Sequence, residues 1–200
     1  MPSPRRHAAK ERHERMAFVC ALALTTANLA AQDGGKQAGD ADTRAALLRA
    51  MVVLKIAPYL VLETPATTRK EYRIGVVGSD TVGAAIQKDL PGKKVGDLPV
   101  VVVAIDPTVA SKGASAHTCD LLWLAKSVDA ATQKQILAAH AEHPTTLVSE
   151  QAGFVASGGS VQLFVQENSI RFEVNADALK QKGIRASSQL LKLSRKGPKE

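Results

Sequence analysis

The chain has 200 residues and a formal net charge of +7, with 45% hydrophobic and only 4% aromatic residues. That length accommodates one domain with a sizeable core, built mainly from aliphatic side chains. Arg5, Arg6, Lys10, Arg12 and Arg15 outweigh Glu11 and Glu14 at the N-terminus, and the other basic residues are scattered without aromatic neighbours, which argues against a nucleic-acid partner.

The N-terminus reads as an export signal. A basic stretch ends at Arg15, and an apolar segment runs from Met16 to Leu29-Ala30-Ala31. Its length, about 15 residues, suits the core of a signal peptide and falls short of the ~20 needed to span a bilayer. The expected organisation is a signal peptide over 1–31, a flexible Gly-, Asp- and Gln-rich linker over 32–42, and one α/β domain over 43–196. After cleavage the protein would not span a membrane. Cys20 leaves with the signal, so Cys119 is then the sole cysteine. It precedes Asp120-Leu121-Leu122-Trp123-Leu124, a core-strand pattern, and is expected to be buried.

Thr43 is placed to cap a helix from Arg44 to about Ala57, which Pro58 ends. Tyr72–Val77 predicts a strand, Ser79 or Asp80 the cap of a helix over 81–89, and Pro91-Gly92 a break. Leu98–Ile105 is a β-branched run, as expected of a strand covered on both faces. Leu121–Ala125 predicts another strand, Asp129 caps a helix from Ala130 to about Glu142, and Thr145–Val148 forms a further strand.

Gly158–Val165 and Ile170–Asn175 flank the polar Glu167-Asn168-Ser169 and predict a β-hairpin. With Asn168-Ser169 as its loop, Val165 opposes Phe172 and Leu163 opposes Val174, which makes Phe172 a core residue. A slip of one residue would mix the two faces. A short helix from Ala176 stops at Gly183, ahead of Ile184–Leu193. Strand–helix alternation followed by a hairpin implies an α/β fold: a single domain with a mixed β-sheet of about six strands and helices on both faces.

Residues with chemical potential are few. Gly78-Ser79-Asp80-Thr81-Val82-Gly83 has phosphate-loop glycine spacing, but Ala84 stands where a Lys is required. Such a turn can still offer N–H groups to an anion, although a flexible turn is the simpler reading. His140 and His143, with His117 and Cys119, are metal-ligand types, yet a helix C-terminus explains such histidines through its dipole alone. Ser187-Ser188 lacks a nucleophile elbow and identifiable His and Asp companions. No catalytic residue, metal site or cofactor is assigned, and the protein is expected not to be an enzyme. Arg171, Glu173 and Asn175 share one strand face and form the candidate partner or ligand surface, a solvated face being the plain alternative. Leu190, Leu191 and Leu193 suit either core packing or a subunit contact, which leaves a homodimer open.

A family resemblance rests on the C-terminal quarter. Gly158-Gly159, Ile170-Arg171-Phe172-Glu173-Val174-Asn175, Gly183-Ile184 and Ala186-Ser187-Ser188-Gln189-Leu190-Leu191-Lys192-Leu193-Ser194 resemble the signature of YfiR/HmsC-like proteins, small exported regulators of membrane-bound diguanylate cyclases. The likeness extends from about Thr43 to Ser194 through Leu47–Pro65, Ile74–Asp80 and Cys119-Asp120-Leu121-Leu122. It implies a periplasmic protein that binds the periplasmic sensor region of an inner-membrane diguanylate cyclase and represses it, lowering cyclic di-GMP and biofilm formation. The alternative is a periplasmic small-ligand sensor that serves another receptor or an outer-membrane system. Two departures stand out. Leu62-Glu63-Thr64-Pro65 lacks the family's Trp, and Gly75 stands where many members carry a Cys that can bridge to the one matched by Cys119. The resemblance therefore implies no such bridge here.

Overall fold

A computed structural model describes residues 39–63, 69–113 and 118–197. The signal peptide, most of the linker, Thr64, Pro65 and His117 lie outside the described residues. Contacts group Arg44–Glu200 as one unit, and of Met1–Thr43 the described part is residues 39–43, which are helical.

The first helix, α1, covers residues 39–56, so it begins before the expected cap. Thr43 lies inside it and donates its hydroxyl to the Gly39 carbonyl at 2.8 Å rather than capping. Pro58 cannot continue a helix and sits in a tight turn, Ala57–Tyr59, that leads into a short strand, β1 (Leu60–Leu62). Then follow β2 (Tyr72–Val77), α2 (Thr81–Asp89), β3 (Lys94–Val95), β4 (Leu98–Ile105), α3 (Pro107–Ala110) and β5 (Leu121–Leu124). The chain ends with α4 (Ala130–Ala139), β6 (Thr146–Ser149), β7 (Val161–Gln166), β8 (Ser169–Val174), α5 (Ala176–Gln181), β9 (Ile184–Ala186) and α6 (Ser188–Leu193).

The main sheet has seven strands in the order β3-β4-β2-β5-β6-β7-β8, parallel in its middle and antiparallel at both edges. A separate antiparallel pair joins β1 to β9, which had no signal in the sequence beyond short apolar runs. The period-two alternation of buried strands sorts the core into two layers. Ile74, Val76, Leu121, Trp123 and Val148 pack under α1, α2 and Leu190 of α6. Val77, Leu122, Leu124 and Leu147 pack with Ala110 of α3, Ile136 and Leu137 of α4, and Phe154. The expected mixed α/β single domain with helices on both faces is the observed architecture.

The hairpin register departs from the expected one. Gln166 pairs with Ser169, so the loop is Glu167-Asn168, and Leu163 opposes Phe172 while Val165 opposes Ile170. Both loop residues take positive φ, 49° and 56°, the geometry of a type I′ turn whose twist matches that of the strands. Moving the loop by one residue shifts each pairing by two. Every side chain therefore keeps its expected face, and the apolar sorting survives.

Cys119 is 3% exposed and free, and burial pushes its thiol pKa up. A Cβ built on Gly75 would lie 3.1 Å from the Cys119 sulfur, so the two positions do face each other; it would also lie 2.4 Å from Leu122 Cδ2. Leu122 and Ile105 fill the space that a side chain at Gly75 would occupy. Native protein should react with a thiol reagent only as fast as it unfolds, and should run as a monomer on a non-reducing gel. Rapid stoichiometric labelling of the folded protein would contradict this burial.

Candidate functional site

In open α/β sheets, ligands commonly settle beyond the C-terminal ends of the strands, where neighbouring crossovers diverge. Here that point lies between β2, which leads through α2 to β4, and β5, which leads through α4 to β6. The chain itself fills it. Asp80 caps α2, accepting from Gly83 N at 2.6 Å, and also accepts from Lys126 N at 2.9 Å and Trp123 Nε1 at 3.2 Å. Ser79 N donates to Ser127 Oγ at 2.8 Å. Gly78, at φ 78°, and Gly83 let the turn approach closely: a Cβ on Gly83 would fall 2.9 Å from Val76 Cγ1. The N–H groups of Ser79 and Gly83 are therefore already engaged within the chain and not offered to an anion, and the glycines serve packing. Glu150 extends this network, meeting Arg49 of α1 at 2.7 Å and Lys126 at 3.4 Å.

The opposite ends of β2 and β5 are pinned as well. Asp120, 8% exposed, accepts from Arg73 N at 2.7 Å and pairs with the guanidinium of Arg69. Tyr72 beside it is buried, and its phenol pKa is strongly raised by desolvation.

Open surface appears instead at the β8 edge. A groove of ≈540 Å³ runs between α1, β8 and α6, lined by Val52, Ile56, Tyr59, Phe172, Leu190 and Leu193, with Lys55 and Lys192 at its sides. Leu193 is 65% exposed, Leu48 59% and Tyr59 41%, whereas Leu190 is buried. Phe172 is accordingly not the core residue that the alternation implied: it is half-buried and forms the groove floor. β8 is the last strand of the sheet, and α1 and α6 leave its surface incompletely covered.

The three polar residues singled out on β8 separate in role. Arg171 is exposed and lies opposite Phe164, and neither a hydrogen bond nor an ion pair engages its guanidinium among the described residues. Glu173 is half-buried and accepts from Gly197 N at 2.7 Å. Asn175 caps α5, accepting from Ala178 N at 3.0 Å and donating from Nδ2 to the Val155 carbonyl at 3.3 Å. The tail after α6 also closes part of the sheet edge: Arg195 N donates to the Phe172 carbonyl at 2.9 Å and Val174 N to Ser194 Oγ at 3.0 Å. Sequence could not announce this, because the tail has no strand pattern.

Other candidates resolve into structure. Ser187 caps α6, its hydroxyl accepting from Leu190 N at 3.2 Å. His140 is fully buried, with Nε2 3.3 Å from the Ala110 carbonyl and its ring edge-on to His143 at 6.3 Å. Among the described residues no group of three or more His, Cys, Asp or Glu side chains converges to hold a metal ion, and no helix is long and apolar enough to cross a membrane.

The fold is a mixed α/β sheet whose strand-end crevice is occupied by the chain's own hydrogen bonds, with an open apolar groove at its β8 edge. Residues 46–195 match the model of the YfiR/HmsC-like family, and the chain belongs to that family of periplasmic regulatory proteins. No curated protein matches the chain.

Proposed function

We propose that this protein is an exported, non-enzymatic repressor that binds the periplasmic sensor region of an inner-membrane diguanylate cyclase and holds it in its inactive state. The observation that carries the reading is the exposed apolar groove between α1, β8 and α6 in a chain of this family. The N-terminal basic-apolar pattern supports export through a signal peptide over 1–31. Repression requires differential affinity: driving a cyclase from 1:99 to 99:1 in favour of its off state takes about 5.5 kcal/mol. At ~25 cal/mol per Å² that corresponds to roughly 220 Å² of apolar surface, before the costs of association. A few side chains seated in the groove supply that much. Of the polar residues on the other face of the edge strand, Arg171 is the one offered to the partner, while Glu173 holds the tail and Asn175 holds α5.

Deleting the gene in its host should raise cyclic di-GMP, and the wild-type gene should restore the low level. Leu193→Asp, at a position already exposed, should fold normally yet fail to restore repression, and Arg171→Ala should weaken it. Full repression by Leu193→Asp would sink the groove as the contact. A cyclic di-GMP level indifferent to deletion would sink the repressor reading altogether. The second reading, a periplasmic ligand sensor serving another receptor or an outer-membrane system, draws support from a polar pocket on the opposite side of the sheet from the groove.

A further inference from the structure

We propose that the polar pocket between α4 and α5 binds a small organic anion, with Lys182 as its charged anchor. The pocket has a volume of ≈510 Å³ and is lined by Lys134 and Leu137 of α4, Ser157 and Gly158 of the preceding loop, and Asp177 and Lys182 at the two ends of α5. That volume lies within the ~300–1,000 Å³ of typical small-ligand sites.

Lys182 is the unusual member. It is 5% exposed, and no carboxylate pairs with it among the described residues. Its ammonium donates to the His140 carbonyl at the end of α4, which engages one of three hydrogens and leaves two. Burial pushes its pKa down to about 8, because desolvation disfavours the charged ammonium. An oxyanion in the pocket would supply a counter-charge and accept the spare hydrogens. Lys134, exposed on α4, adds a second cation on the same wall, against Asp177 as the pocket's carboxylate. The balance favours an anion, and Asp177 is placed to accept a hydrogen bond from a hydroxyl or amino group elsewhere on the ligand. The ring of His140 is directed at Ala110. A helix-capping role for Lys182 alone would account for its bond to His140 but not for a pocket with excess positive charge.

The test is titration of the mature protein, followed by amide NMR, with acetate, succinate, citrate and inorganic phosphate at physiological ionic strength. At least one carboxylate should give saturable shifts around residues 134–141, 157–158 and 175–182, with a Kd of about 1 mM or tighter. Lys182→Met should weaken binding by about tenfold or more, as loss of a charge-assisted hydrogen bond predicts. Ala138→Trp, which fills the pocket from an exposed helix position, should abolish binding without touching the lysine, and it carries the test if Lys182→Met does not fold. Absence of saturable shifts with every carboxylate at about 10 mM, response to phosphate alone, or binding unchanged in Ala138→Trp would each overturn the proposal. The outcome is independent of whether a cyclase is the partner.

Discussion

Trp123→Ala should cost about 3–5 kcal/mol, a large share of a typical domain stability of about 5–15 kcal/mol. Trp123 is fully buried at the centre of the larger core layer, between β2 and β6, and it is the chain's sole tryptophan. Truncation would open a cavity beneath α2 and remove the indole N–H from Asp80, at the point where the turn after β2 is tied to β5. Trp123→Phe should cost less, because Asp80 keeps Gly83 N and Lys126 N as donors. Thermal unfolding followed by circular dichroism checks both, since the intrinsic fluorophore is lost. A midpoint lowered by less than about 5 °C in Trp123→Ala would contradict this account, given ~2–4 °C per kcal/mol in a chain of this size.

Gly159→Ala should be similarly severe for the opposite reason. A Cβ there would sit 2.3 Å from both Cδ1 and Cε1 of Phe154, a fully buried ring with no room to retreat. Overpacking of this kind costs about 1–3 kcal/mol and more where the neighbour is rigid. Gly158→Ala meets nothing within 4 Å and should pay only for its φ of 100°. The double variant Gly159→Ala with Phe154→Leu should recover part of the loss, because the two sites are coupled by direct contact. Additive losses in the double variant would show that the ring is not what Gly159 accommodates. This gives the glycine pair of the C-terminal signature a packing role: Gly158 supplies the turn and Gly159 the clearance.

Much of the fold was legible because its signals are local. Strand β2 was expected and found at Tyr72–Val77, and β4 at Leu98–Ile105, because β-branched runs favour extended backbone. The expected cover on both faces fails for β4, where only Val100 is buried, since β3 beside it is too short to extend the covered sheet. Asp129 caps α4 as expected, and of Ser79 and Asp80 it is Asp80 that caps α2, because a carboxylate ahead of a helix satisfies N–H groups whatever lies around it. α4 stops at Ala139, short of the expected Glu142, and the first helix starts before Thr43; such boundaries depend on competing turns rather than on periodicity.

The surface was less legible. Arg171, Glu173 and Asn175 share a face by alternation, but alternation cannot reveal that the tail takes Glu173 and that Asn175 turns inward to cap α5. Phe172 carries the apolar signature of a core position, and its partial exposure follows from how far α1 and α6 reach over the last strand. Lys182 gave no signal at all, since a lysine after a short helix is ordinarily solvated. The sequence by itself determined the two-faced α/β layout, the helix caps and the family, because periodicity and capping are decided within a few residues. Tertiary structure alone decided the groove, the filled crevice and the buried ammonium, because each depends on which distant segments pack together and where they leave a gap.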